Sequence, residues 1–340
     1  MTRSDRSPHD GQPPSGTARI AVDLLGGDSA PAVVVDGALR ACSADPDLHL
    51  LLVGPRETAD EVLGALAVHD RGRVSVSVVD RTVGMGDSPL RHVRRSSTVR
   101  AAAEAVYGGH ADAMISAGSS GAAVAASAHV LGRLPGVRRP GLAAHVPTPH
   151  GPVLLLDVGV TIDGTMLELV QHAVLGAAYA SAALGVADPR IGLLSIGSEP
   201  GKGDRLRRAV AVALSDTALP AGGRYIGLVE GHDVPQGGPA DVVVTDGFTG
   251  NILLKGIEGA TGRPATGRAE QGAALLGVAG TVVVCHGSAD GPDIASGIAL
   301  AARLHREGVI PAVARLADDL LTELSSAGGL TIRDALGERS

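Results

Sequence analysis

The sequence predicts an α/β fold, a largely parallel sheet with helices on both faces. Three observations carry this. Short runs of Val, Ile and Leu alternate with Ala-rich windows of helical period from residue 18 to the end of the chain. Most of those runs end directly in glycine-bearing turns. The apolar content of 44% includes only one Phe, three Tyr and no Trp, so Ala, Val, Leu and Ile must form the core. Such a core suits buried parallel strands covered by Ala-rich helices. At 340 residues the chain can form one large domain or two lobes, and both options stand at this level.

Taken in order, residues 1–17 are polar and rich in Pro, Gly and Ser, and are expected to form a disordered tail. They contain no apolar stretch of the kind a secretory signal needs. Continuous or alternating apolar runs then predict strands at 19–25 (RIAVDLL), 48–54 (LHLLLVG), 73–79 (RVSVSVV) and 112–116 (DAMIS). Helices are expected at 57–68, 97–108 and 120–132, where Ala, Leu and Val recur at helical spacing. The second half repeats the alternation, with strands at 152–158, 190–196, 224–229, 241–246 and 281–286. Helices are expected there at 167–184, 203–214, 291–306 and 309–327, with one more after DGFTGN. Residues 260–272 (ATGRPATGRAEQG) break the pattern and read as a loop leading to the last strand. Residues 18–330 are expected to form a single α/β domain, and residues 331–340 a C-terminal tail.

Composition excludes several classes. A net charge of −7 and almost no aromatic residues argue against a nucleic-acid partner. The short basic clusters Arg91, Arg94, Arg95 and Arg205, Arg207, Arg208 read as solvated faces. Cys42 and Cys285 cannot form a disulfide framework or a metal site by themselves, and Cys285, ending TVVVC, reads as a buried strand residue. No apolar run is expected to span a bilayer, and a soluble, cytoplasmic protein is expected. Of the 29 basic residues only Lys202 and Lys255 are lysine, each in a glycine-rich motif. A compact ammonium reaches a small anion in a tight cleft where the planar arginine fork does not fit.

The glycine-bearing turns follow VDLL, ISAG, LLDV, LLSI, VVTD and VVVC. Ligands of open α/β sheets bind beyond the carboxyl ends of strands, so these turns predict an anion-binding cleft. Gly197–Gly203 (GSEPGKG) falls one residue short of a P-loop and has Gly203 where a magnesium-binding hydroxyl belongs. A dinucleotide fingerprint, a serine-hydrolase elbow around Ser119 and Ser120, and any His spacing suited to a metal are all absent. Neither a cofactor nor a metal is expected.

These turns, in order, resemble the motifs of the PlsX-type phosphate acyltransferases of bacterial phospholipid synthesis. The matching stretches are IAVDLLGGDSAP (20–31), ADAMISAGSSGAA (111–123), LLLDVG (154–159), GLLSIGSEPGKG (192–203), ADVVVTDGFTGNILLKGIEG (240–259) and CHGSAD (285–290). The fifth is the most specific. The resemblance implies two α/β lobes flanking a cleft, similar to phosphate acetyl/butyryl transferases and isopropylmalate dehydrogenase-like folds. It implies transfer of a fatty acyl group from acyl carrier protein to inorganic phosphate, the acyl phosphate then serving a membrane glycerol-phosphate acyltransferase partner.

Phosphate is the nucleophile in such a reaction, so the site must bind a dianion beside a thioester and stabilise an oxyanion. On that resemblance Lys255, Lys202, His286 and Asn251 are catalytic candidates. Lys255 would hold phosphate together with backbone amides near Gly247–Asn251. Lys202 and His286 would serve the oxyanion or the leaving thiolate. Substrate contacts are implied at Asp23, Gly26, Gly27 and Asp28, and at Ser119, Ser120 and Gly121, the latter three at a helix start. Further contacts are implied at Asp157 and Gly159, at Asp246, Gly247, Thr249 and Gly250, and at Ser288. Asp23, Asp28 and Asp246 are expected to orient loops and lysines, since a carboxylate facing phosphate is repulsive.

The chain departs from the family pattern at Leu24-Leu25, at Ser119-Ser120 in place of Asn-Thr, and at Thr161 and Leu228, each in place of Asn. The helical hairpin that the family places at 260–272, associated with dimer contacts and membrane docking, is shortened. That counts against the usual homodimer and against peripheral membrane association. Two alternatives to the leading reading stay open: a specialised-pathway enzyme using a short acyl or acyl-CoA donor, and a catalytically impaired binding paralogue.

Overall fold

The computed structural model describes residues 16–83, 96–261 and 272–326. The expectations for most of the tail 1–17, for Arg91, Arg94 and Arg95, for most of the loop 260–272 and for the tail 331–340 fall outside those residues.

Eleven strands among the described residues form one sheet: β1 (Ala18–Asp23), β2 (Leu48–Gly54), β3 (Val74–Val78), β4 (Ala113–Ser116), β5 (Gly141–Val146), β6 (Val153–Leu156), β7 (Arg190–Ser195), β8 (Arg224–Glu230), β9 (Val242–Val244), β10 (Ala273–Leu276) and β11 (Thr281–Val284). The helices are α1 (Ala32–Ala44), α2 (Arg56–Ala65), α3 (Thr98–Tyr107), α4 (Ser120–Val130), α5 (Met166–Leu184), α6 (Arg205–Ser215), α7 (Asp233–Gln236), α8 (Gly247–Thr261), α9 (Gly291–Arg306) and α10 (Val309–Ser326). Every strand read from an apolar run is present, as is every helical window. Strands β5 (GLAAHV) and β10 (AALL) are additions, and so are helices α1 and α7.

The spatial order is β3-β2-β1-β4-β11-β10-β5-β6-β9-β7-β8. The first five strands in that order are mutually parallel. The last four are also mutually parallel. Between them the ladder reverses three times, at β11–β10, β10–β5 and β5–β6. The two parallel blocks therefore run in opposite directions, joined through the central pair β10–β5. The segment after 260–272 thus leads first into β10, an antiparallel strand, and only then into the last parallel one.

Because side chains alternate across a strand, each strand feeds two cores. Ile20, Val22, Ile115, Leu154, Leu156, Val242 and Val244 pack on one face with α1, α5, α9 and α10. Ala21, Met114, Leu155, Val243, Leu275 and Val282 pack on the other with α3, α4 and Ile257 of α8. The expected covering of both faces is realised with almost no aromatic mass. Tyr179 is buried, while the one phenylalanine, Phe248, is 56% exposed.

Helix α5 corrects one expectation: by length and composition it is apolar enough to cross a membrane. It instead forms the central core helix, with Leu169, Val174, Leu175, Ala177 and Ala178 inaccessible to solvent. A capping box at its start, Thr165 with Glu168, fixes its first turn.

Candidate active site

The reversal of strand direction decides what meets at the site. A helix leaving the carboxyl end of β9 must run back along its own block. Because that block is inverted, it heads for the carboxyl ends of the other block. Helix α8 follows this course. Its start sits against the turn after β6, and Gly250 packs so closely there that a Cβ would stand 2.0 Å from Asp157 O. One turn further along, Lys255 reaches the turn after β11, where its Nζ lies 2.7 Å from His286 Nε2. On the other side of the ring, His286 Nδ1 lies 2.7 Å from Ser288 Oγ. A protonated Nδ1 donates to Ser288 Oγ and leaves Nε2 to accept from the ammonium, whereas an unprotonated Nδ1 accepts from the Ser288 amide, 3.3 Å away.

This chain opens onto a cavity of about 440 Å³. Among the candidate residues, Ser120, Asn251, Lys255, His286 and Ser288 line it. Lys255, His286 and Ser288 are exposed and form its polar mouth. Ser120 is the first residue of α4, so the positive end of that helix dipole lies at the cavity wall. Ser119, as N-cap, accepts from the Ala122 amide at 3.4 Å, and Gly121 is exposed in the first turn. Asn251 donates from Nδ2 to Val158 O at 2.9 Å, fixing α8 to the turn after β6. Cys285 also lines the cavity, but burial pushes its thiol up to about 12, so it is no nucleophile at neutral pH.

A second group of candidates braces loops behind the mouth. Asp23, buried at the end of β1, accepts from Ser116 Oγ at 2.7 Å and from Leu25 N at 3.2 Å. Burial raises its pKa against the opposing hydrogen bonds from Thr98, Ser116 and Leu25. Gly26 lets its loop lie against the Gly118 amide, which a Cβ would approach to 2.7 Å. Gly27 follows beside Ala117, and the Asp28 amide donates to Gly287 O at 2.7 Å. The turns after β1, β4 and β11 are thus held together through backbone contacts.

The third group lies where α8 begins. The buried Asp157 carboxylate accepts from the amides of Leu142, Gly159, Val160 and Thr161. Asp246 accepts from Thr249 N at 2.9 Å and Thr249 Oγ1, and pairs with Arg207. Burial works to raise the Asp246 pKa, but the Thr249 hydrogen bonds and the Arg207 guanidinium outweigh it and hold it below its ordinary value. The Gly247 amide donates to Thr161 O, and the Gly250 amide to Asp246 O. The amides of Gly247, Thr249 and Gly250, expected to cradle phosphate, are therefore already engaged within the protein. The Thr161 hydroxyl is buried with no hydrogen-bond partner among the described residues.

Lys202 stands apart. It does not line the cavity; it sits on an exposed loop after β7 with its Nζ 4.0 Å from Glu199. Arg207, read as part of a solvated face, is instead 11% exposed and paired with Asp204 and Asp246. A basic run at a helix start gives no hint that one of its members turns inward.

A sequence model of the family described as "Fatty acid synthesis protein" matches residues 18–263. A phosphate acyltransferase of Bacillus thuringiensis is 36% identical over 329 residues, covering 87% of this chain and 97% of that protein. Among solved structures, a phosphotransacetylase from Streptococcus pyogenes superposes with a TM-score of 0.59 at 17% identity, covering 87% of this chain and 94% of its own. A 4-hydroxythreonine-4-phosphate dehydrogenase from Klebsiella pneumoniae gives 0.50 at 15% identity, covering 87% and 100%. The two structural likenesses speak to the fold alone, which is similar to that of the phosphotransacylases and their dehydrogenase relatives.

Proposed function

The chain belongs to the PlsX-type phosphate acyltransferases, and on that premise we propose that it moves a fatty acyl group from acyl carrier protein to inorganic phosphate. The observation that carries this reading is the Lys255–His286–Ser288 chain at the mouth of an otherwise largely apolar cavity. Phosphate binds between the Lys255 ammonium and the start of α4 at Ser120, where ammonium and helix dipole offset the Glu258 and Asp293 carboxylates that also line the cavity. A phosphate oxygen attacks the thioester carbonyl carbon, forming a C–O bond and a tetrahedral oxyanion. Collapse breaks the C–S bond, and the leaving carrier thiolate takes up, through His286, the proton that the hydrogen phosphate gives up on attack. Lys255 stabilises the negative charge throughout. Asp157 and Asp246 position α8 and touch no substrate.

The acyl phosphate made in this way supplies a glycerol-phosphate acyltransferase at the membrane, and the enzyme itself works in the cytoplasm. The test is phosphate-dependent cleavage of acyl carrier protein and acyl-CoA thioesters by the purified protein, with Lys255→Met alongside. The variant should lose at least about a hundredfold in kcat while keeping its fold. Cleavage of acyl-CoA alone would replace the donor, and unchanged turnover in Lys255→Met would remove this lysine from the mechanism.

A further inference from the structure

The mouth accounts for one end of the cavity, and the other end has a different chemistry. Its floor is the sheet face beneath α8, and the strand residues lining it are Leu142, Ala144, Ala273 and Val284, all apolar. The ladder places them together: Ala273 pairs with Ala144 on β5 and with Val284 on β11. Leu142 and Ala144 are two residues apart on β5 and share a face, as do Val284 and His286 at the end of β11. The floor therefore runs without interruption to the imidazole. Leu254, next to Lys255 on α8, lines the cavity from the helix side. Leu142, Ala144 and Val284 are 3%, 1% and 6% exposed, so the floor is deep as well as apolar. The carboxylates of Glu258 and Asp293 belong to the rest of the lining, so the strand floor is the apolar part of the wall, and the cavity's volume lies in the range of small-molecule pockets.

We propose that this floor is the acyl-chain slot and that the cross-strand pair Ala144–Ala273 sets the chain length it accepts. The inference rests on the transferase reading for the nature of the ligand: a hydrocarbon chain with its carbonyl held at Lys255 and His286. At the paired positions the smallest apolar side chain leaves the slot open. A larger one on either strand projects into it, because both Cβ atoms share the face that lines the cavity. Polar ligands of similar volume, such as a sugar or a nucleotide, find no hydrogen-bonding strand side chain there.

Ala273, half-buried at the start of β10, is the position where added bulk disturbs the core least. Ala273→Leu and Ala144→Leu are compared with the wild type on butyryl, octanoyl and palmitoyl thioesters, and the free fatty acids of the same lengths are titrated calorimetrically. The palmitoyl-to-butyryl ratio of kcat/KM should fall by about tenfold in each variant, since a few methylenes in an apolar pocket discriminate on that scale. Palmitate binding should weaken relative to butyrate in the same sense. A chain-length profile unchanged in both variants, or losses equal at every length, overturns the slot. Binding that responds to the substitution in a protein that cleaves no thioester supports the slot while removing the transferase reading. Normal phosphate-dependent turnover with an unchanged profile does the reverse. Thermal unfolding confirms that each variant is folded, and Ala273→Val replaces any that is not.

Discussion

The turn after β6 and the turn after β11 start from the same kind of sequence, a buried apolar strand running into a polar residue and a glycine, and they end as opposites. In the first, Asp157 is fully buried and its carboxylate is consumed by four backbone amides. In the second, His286 is exposed, and its ring nitrogens face one lysine and one serine that themselves reach the cavity. A carboxylate surrounded by orphan amides is drawn inward because it can accept several at once. An imidazole carries one donor and one acceptor when neutral, so it threads a chain and leaves its neighbours capacity for a substrate. The first turn builds the position of α8, and the second uses it.

That contrast can be tested at three strengths. The largest effect is expected from Asp157→Ala, which strands four backbone amides, one on β5 and three on the turn after β6. It should cost about 3 kcal/mol in denaturant unfolding. A loss below about 1 kcal/mol would mean that the turn stands without its carboxylate.

Arg207→Met comes next, because it removes a cation from Asp246 but leaves the Thr249 hydrogen bonds in place. A loss of about 2 kcal/mol at neutral pH is expected. The Asp246 pKa is depressed in the fold, so its contribution is present above the ordinary carboxylate value of 3.8 and is lost as the pH falls through the folded one. The variant raises the folded value and should move the acid-unfolding midpoint to higher pH. An unmoved midpoint would leave the ion pair without a stabilising role.

The smallest effect is expected at Lys202, whose long contact to Glu199 is solvent-exposed. Lys202→Met should change both stability and kcat by less than about twofold. A loss comparable to that of Lys255→Met would bring the β7 loop into the mechanism.

The parallel strands were legible because their apolar runs are dense: TVVV and VLLL cannot be solvated. The antiparallel pair β5–β10 was not, since GLAAHV and AALL carry the alanines that a helix would also use. These two hidden strands supply Leu142, Ala144 and Ala273 to the cavity floor beside Val284 of the legible β11, and the alanines that obscured them are the ones that leave the cavity open. Among the site residues, the motifs pointed to Lys255 first, with His286 and Ser288, but they placed Lys202 in the same catalytic set although it does not line the cavity. Separation along the chain conceals the opposed blocks that send α8, and Lys255 with it, towards β11. Arg207 was missed because its partner Asp246 lies 39 residues away on another turn.

The reversed pair at the centre of the sheet also has a mechanical consequence. A floor made of a continuous backbone ladder is inextensible, because widening it means breaking the hydrogen bonds that join β5 to β10 over four paired positions. The cavity must adjust to its contents through its roof. Helix α8 is pinned at one end by Asn251 and Gly250 against the Asp157 turn, Ile257 seats it in the core just past Lys255, and the Lys255 ammonium joins it to His286 between the two. The spacing between ammonium and imidazole is therefore set by how α8 is seated, with Asp157 fixing its start and Ile257 the stretch just beyond Lys255.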